Sequence, residues 1–150
     1  MTVTDNNDQE VLIIKRPYRC DECCFFCCLM SVDISTPTGT SLGGVKQTCS
    51  VIKPKFDIRN AEDDTVLKLR GPCIKCRCCG DVEFDLYDKD LETVIGRVAK
   101  QWSGLGKEWF TDADQFGITF PMDLDVRMKA VMIGAVFLLD FMFYEKPRND

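Results

Sequence analysis

The sequence predicts a mainly β domain that ends in one hydrophobic helix. Up to about Phe120, short runs rich in β-branched and aromatic residues alternate with turn clusters. Residues 126–145, VRMKAVMIGAVFLLDFMFYE, form instead one almost continuous apolar stretch. The length of 150 residues suits a single domain with a single core.

Each element follows from local chemistry. Glu10–Arg16 is a short Val/Ile-rich strand stopped by Pro17, which locks φ and donates no hydrogen bond. The N-terminal MTVTDNNDQE is acidic and polar. Met30–Ser35 alternates weakly and runs into TPTGTSLGG, taken as one long turn cluster. Val45–Ile52 is the next strand. Lys55–Arg59 and Thr65–Arg70 form a hairpin around NAEDD, with Phe56, Ile58, Leu67 and Leu69 on one face. In Val82–Leu86, Val82, Phe84 and Leu86 point inward while Glu83 and Asp85 point outward. The turn YDKD then leads to Thr93–Lys100. Strands at this rhythm build an antiparallel sandwich or barrel.

The last segment opens at Asp125, a good N-cap, and is closed by Pro147. From Ala130 to Leu139 it is apolar on every side, so it belongs inside a protein or inside a bilayer. A simple span needs roughly 20 apolar residues. Lys129 and Asp140 bracket a run of about half that length, which favours a buried core helix over a membrane-inserted one. Val126, Ala130, Ile133, Gly134, Phe137, Leu138 and Phe141 are the residues that would fill a barrel or meet lipid.

Composition narrows the chemistry. The formal net charge of −5 leaves no general basic footprint for nucleic acid. Histidine is absent, which removes the commonest general base and every His-containing metal site. The N-terminus has no basic region followed by an apolar run, so it is no signal peptide, and an intracellular location is the default. There, ten cysteines, most of them clustered, point to metal, lipid or redox work rather than structural bridges. Cys20-x-x-Cys23 and Cys73-x-x-Cys76 have the spacing of a four-thiolate zinc site, with Cys78 and Cys79 in reserve. Buried thiols acting as small hydrophobes are the plainer reading, above all for Cys73–Cys79.

DADQFGITFPMD, residues 112–123, overlays partly on a calcium loop. Asp112 and Asp114 fill the first ligand positions, Gly117 the sharp turn, and Asp123 the end. Phe116 stands where an oxygen ligand belongs, and Asp123 is shorter than the usual bidentate Glu. An ordinary strand, FGITF, with aspartates in the flanking turns competes with this reading.

With these residues in view, the chain resembles the phospholipid scramblase family over nearly its whole length. The resemblance rests on residues 111–145, on GPCIKCRCCGDVEFDL, on the CCFFCC cluster and on GRVAKQWSGL. It implies a tubby-like antiparallel β-barrel around a central helix, here Val126–Tyr144, although the family has also been described as single-pass in the membrane. Family members usually carry more chain upstream, so the barrel is expected to be incomplete, with open edges and an uncovered helix.

The resemblance implies palmitate on Cys23, Cys24, Cys27 and Cys28. Stable anchoring takes two signals, and these thiols together with upstream Lys15, Arg16 and Arg19 offer more than that. Phe25 and Phe26 replace a cysteine and a proline of the family pattern. The resemblance also implies calcium at Asp112, Asp114, Phe116, Ile118, Phe120 and Asp123, and nuclear import through GRVAKQWSGL. That last stretch holds only Arg97 and Lys100 as charges and also reads as a strand end with a packed Trp102.

The activity implied is calcium-responsive, ATP-independent, bidirectional movement of membrane phospholipids between leaflets. No bond is made or broken, so the chain is read as a non-enzyme. The location implied is the plasma membrane, on its cytoplasmic face or single-pass, and cytoplasm or nucleus without acylation. The rivals are a lipid-anchored module for signalling or nuclear import proteins, and a zinc-stabilised β-domain.

Overall fold

The computed structural model describes residues 1–17, 29–50, 52–72, 83–101 and 115–144. Among the described residues, nine antiparallel strands form one sheet in strict chain order. They are β1 (Thr2–Thr4), β2 (Glu10–Lys15), β3 (Ser31–Ser35), β4 (Ser41–Thr48), β5 (Lys55–Arg59), β6 (Thr65–Arg70), β7 (Glu83–Asp88), β8 (Val94–Gln101) and β9 (Gln115–Thr119). Helix α1 (Val126–Leu139) follows and continues into a π-helical turn, Asp140–Tyr144. Among the described residues the sheet does not close, and β1 and β9 are its two edges.

The β5–β6 hairpin has the boundaries expected from its alternation. Its turn is set by Asn60, whose Oδ1 accepts hydrogen bonds from the amides of Glu62 and Asp64 at 3.1 and 2.9 Å. Asp63 takes φ 66°, a conformation that Asp tolerates better than most residues. Arg59 Nη1 binds both Asp63 oxygens at 2.9 Å. Val82 lies outside the described residues, while Phe84 and Leu86 face inward as read.

One strand was not foreseen and one expectation is corrected. Thr2–Thr4 pairs with β2 across a turn in which Asp5 Oδ1 accepts from the amides of Asn7 and Gln9. The cluster TPTGTSLGG is only partly a turn. Thr36–Thr40 makes the reversal, with Gly39 at φ 90° donating to the Thr36 carbonyl. Strand β4 starts at Ser41, takes in Gly43 and Gly44, and ends at Thr48, short of Ile52.

Gly43 belongs in that strand for a steric reason. It sits at φ 141°, and a Cβ there would meet the Arg59 carbonyl oxygen at 2.1 Å and Val131 Cγ2 at 3.1 Å. Only glycine fits such a position.

The core lies between the inner face of the sheet and α1. Val32, Ile34, Val45, Phe56, Ile58, Leu69, Phe84, Leu86 and Val98 supply the sheet side. Met128, Val131, Met132, Ala135, Leu138 and Leu139 supply the helix side. Each large aliphatic side chain buried in this way contributes about 1.5–3 kcal/mol. The helix packs on β3, β4 and β5. Gly134 makes this approach possible, because a Cβ there would meet Ile34 Cγ1 at 2.6 Å.

Gly134→Leu is therefore expected to destabilise the fold by about 1–3 kcal/mol or more through overpacking. Ile133→Leu, on the outer side of the same turn, should change stability by less than about 0.5 kcal/mol. Urea unfolding of the two variants checks both numbers.

Candidate functional site

Helix α1 is apolar on all sides but covered on one. Gly134 and Leu138, two of the seven residues assigned to the core or lipid contact, are buried, and Ala130 is half-buried. Val126, Ile133, Phe137 and Phe141 remain 76%, 38%, 37% and 39% exposed. Their spacing places the last three on one stripe of the helix. The sheet does not surround the helix, so this stripe faces away from the core. No helix among the described residues is long and apolar enough to cross a membrane.

Both ends of α1 are tied down. Asp125 is the N-cap, as read, and its side chain accepts from the Arg127 amide at 3.4 Å. Lys129 Nζ donates to the Met122 carbonyl at 3.1 Å and lies 5.5 Å from the Phe120 ring centroid. At the other end, the Arg16 guanidinium carbon stacks 3.5 Å from the Phe141 ring centroid. Arg16 Nη1 is buried with no hydrogen-bond partner among the described residues. That contact carries the end of β2 to the end of the helix.

The cysteine segment is the connection between β2 and β3. Cys20, Cys23, Cys24, Cys27 and Cys28 lie outside the described residues, as do Cys73, Cys76, Cys78 and Cys79. Their flanks are placed. Pro17 follows Arg16, and Met30 is buried with its amide donating to Gln47 Oε1 at 3.0 Å. The described chain ahead of the thiols therefore ends at Pro17, one residue past the Arg16–Phe141 contact. Cys49, at the end of β4, is an exposed free thiol that the sequence reading did not single out.

The proposed calcium ligands fall on different kinds of structure. Asp112 and Asp114 lie outside the described residues. Phe116 and Ile118 are strand residues of β9, opposite Lys100 and Val98. Gly117 lies opposite Ala99 in the same ladder, so the sharp calcium-loop turn expected there is replaced by the strand that was its competitor. Phe120 packs against the core, and Asp123 is exposed in the turn Pro121–Leu124. Among the described residues no group of three or more acidic or cysteine side chains converges on one point. Of GRVAKQWSGL, residues 96–101 form β8 and Trp102 lies outside the described residues.

The outer face of the sheet is polar and carries two clefts. The first, of about 280 Å³, lies over Gly44 between Asp33, Lys46 and Arg59. The second, of about 420 Å³, is lined by Lys53, Lys55, Arg70, Asp85 and Tyr87, with Ile52 at its side. Sequence reading missed both, because a row of side chains across neighbouring strands leaves no local motif.

The Arg16–Phe141 contact should be measurable as a coupling. Arg16→Ala and Phe141→Ala, taken singly and together through a double-mutant cycle, are expected to give a coupling energy of about 0.5–2 kcal/mol. Additive losses in thermal or urea unfolding would show that the stack contributes nothing.

The scramblase family model matches residues 1–146. The chain is 51% identical over all 150 of its residues to phospholipid scramblase 1 of Mus musculus, covering 46% of that protein. It is 49% identical over its whole length to phospholipid scramblase 2 of Bos taurus, covering 51% of it. Phospholipid scramblase family member 5 of Homo sapiens is 46% identical over 97% of the chain, which covers 54% of that relative. The chain thus spans about half the length of the curated relatives it matches. No solved structure matches it. Family model and relatives agree along essentially the whole sequence, and the chain belongs to the scramblase family.

Proposed function

We propose that this chain acts at phospholipid membranes as a scramblase, moving phospholipids between leaflets in both directions without ATP and without making or breaking a bond. The observation that carries this reading is family membership along the whole chain. The exposed stripe of Ile133, Phe137 and Phe141 supports it, because its Phe141 end meets Arg16, which shortly precedes the cysteines in the sequence. Palmitate on Cys23, Cys24, Cys27 and Cys28 would hold that end of the molecule at the cytoplasmic face of the plasma membrane. Each buried CH₂ of an acyl chain contributes about 0.8 kcal/mol, so two chains suffice for a stable anchor.

Calcium is proposed to act through Asp112, Asp114 and Asp123. A hard divalent cation needs several oxygen ligands at once, and these carboxylates flank β9 just before α1. Binding there would bear on the start of the helix, where Lys129 already fixes the turn that contains Asp123.

A second reading is a lipid-anchored module that binds proteins. The edges of β1 and β9, unpaired among the described residues, favour it, because an open sheet edge accepts an extended segment of another chain. Flip of labelled phospholipid in vesicles holding the purified chain separates the readings. Scrambling above protein-free vesicles is expected, and no excess flip, with partner binding retained, would leave the binding module.

Replacing the four paired cysteines by Ala is expected to release the protein from cellular membranes into cytoplasm or nucleus. A quadruple variant that still sediments with membranes at high salt would place the anchor elsewhere. Asp112→Ala with Asp114→Ala should weaken calcium binding at least about tenfold, or 1.4 kcal/mol, and abolish any calcium-stimulated flip. Calorimetry at millimolar calcium reads the first effect. Unchanged heats and midpoints would remove calcium from this stretch.

A further inference from the structure

The larger cleft on the outer face of the sheet holds a like-charged pair that the fold alone does not explain. Elsewhere on this face, among the described residues, charged residues that face each other across neighbouring strands differ in sign. Lys46 lies opposite Asp57, which lies opposite Lys68. Arg70 lies opposite Asp85, which lies opposite Arg97. The exception is Lys55, which lies directly opposite Arg70. Like charges in that position destabilise a sheet.

A third cation, Lys53, lines the same cleft. Its segment is fixed by the bond from the Gly71 amide to the Pro54 carbonyl at 2.9 Å. The carboxylate of Asp85 is drawn the other way, to Arg97 Nε at 3.3 Å. None of Lys53, Lys55 and Arg70 forms an ion pair among the described residues. Arg70 is instead held 5.5 Å from the Tyr87 ring centroid. So an acidic protein, with net charge −5, gathers around one opening three cations that have no ion-pair partner among the described residues.

We propose that the Lys53–Lys55–Arg70 cleft binds the phosphate of an anionic phospholipid headgroup. Three cations against one already-engaged carboxylate require an anion. The cleft is about 420 Å³, within the range of small-ligand sites. Ile52, 62% exposed at its side, offers an apolar contact beside the charges, which suits a membrane surface rather than bulk water. Bound phosphate would remove the Lys55–Arg70 repulsion, so the ligand completes an arrangement that is frustrated without it. This inference rests on the reading that the chain works at phospholipid membranes, and it assigns a headgroup contact distinct from the acyl anchor and the helix stripe.

The test is co-sedimentation of the purified, unacylated 150-residue chain with two kinds of vesicle, pure phosphatidylcholine and phosphatidylcholine with roughly a fifth phosphatidic acid. Wild type should bind the acidic vesicles at least about tenfold more tightly, and added salt should weaken this preference. Lys53→Gln with Lys55→Thr should lose roughly thirty-fold in affinity, about 2 kcal/mol, for the acidic vesicles only. Lys89→Gln with Arg127→Gln, the same charge change at exposed sites away from the cleft, should bind as wild type does. Equal losses in the two double variants would reduce the effect to bulk charge and overturn the proposal.

Melting provides an independent arm. Without anion at low salt, Lys55→Thr should melt about 1–4 °C above wild type, since it removes the like-charged pair and adds a good strand former. A lower melting point would show that the pair is not frustrated and would count against the site. Inorganic phosphate that raises the wild-type melting point while acidic vesicles fail to bind would give the cleft to a soluble phosphate or phosphopeptide and overturn the lipid assignment. Vesicle binding without lipid flip would leave this inference standing while removing the scramblase reading.

Discussion

The architecture depends on how closely α1 can approach β3 and β4. Two glycines set that distance from opposite sides. Gly134 on the helix makes room for Ile34 of the sheet, and Gly43 on the sheet makes room for Val131 of the helix. A methyl group at Gly134 would push the helix off Ile34, and one at Gly43 would strike the Arg59 carbonyl of β5 and crowd Val131. Because the helix sits this deep, Met132, Ala135, Leu138 and Leu139 are buried together, and its opposite side is left without cover. The same placement brings Phe141 to Arg16, at the end of β2.

Where local chemistry decided the outcome, the sequence was readable. The β5–β6 hairpin came out at its observed bounds because period-two alternation and an Asn-led turn are both short-range signals. Asp125 was readable as a cap for the same reason. Reading failed where a distant neighbour decided. Gly43 and Gly44 look like turn residues until Val131 and the Arg59 carbonyl are seen packed against the first of them. Thr2–Thr4 is a strand because β2 offers it an edge, and the Asp5-led turn that joins the two was legible but overshadowed by the acidic composition. Gly117 invited a calcium turn on spacing alone, whereas pairing with Ala99 makes it a strand residue.

The candidate site was half legible. Clustered thiols, upstream basic residues and an all-apolar helix are compositional and stand out in one dimension. That Arg16 and Phe141 touch, and that Lys53, Lys55 and Arg70 share an opening, depend on register and helix placement. The two sides of the protein consequently differ in kind. The inner side is apolar and organised by steric fit, while the outer side is a lattice of charges organised by strand pairing.

Strict chain order in the sheet has a kinetic consequence. Every strand pairs with its immediate predecessor, so each hairpin can form from neighbouring sequence at little cost in loop closure. The helix is the opposite case. It follows β9 in the chain, yet its partners are β3, β4 and β5, several strands earlier. During synthesis the meander therefore emerges with the apolar side of Ile34, Val45 and Ile58 facing water until α1 docks. Docking of α1 is then the slow, non-local step, and the interval before it is when a chaperone or a bilayer would compete for the unfinished core.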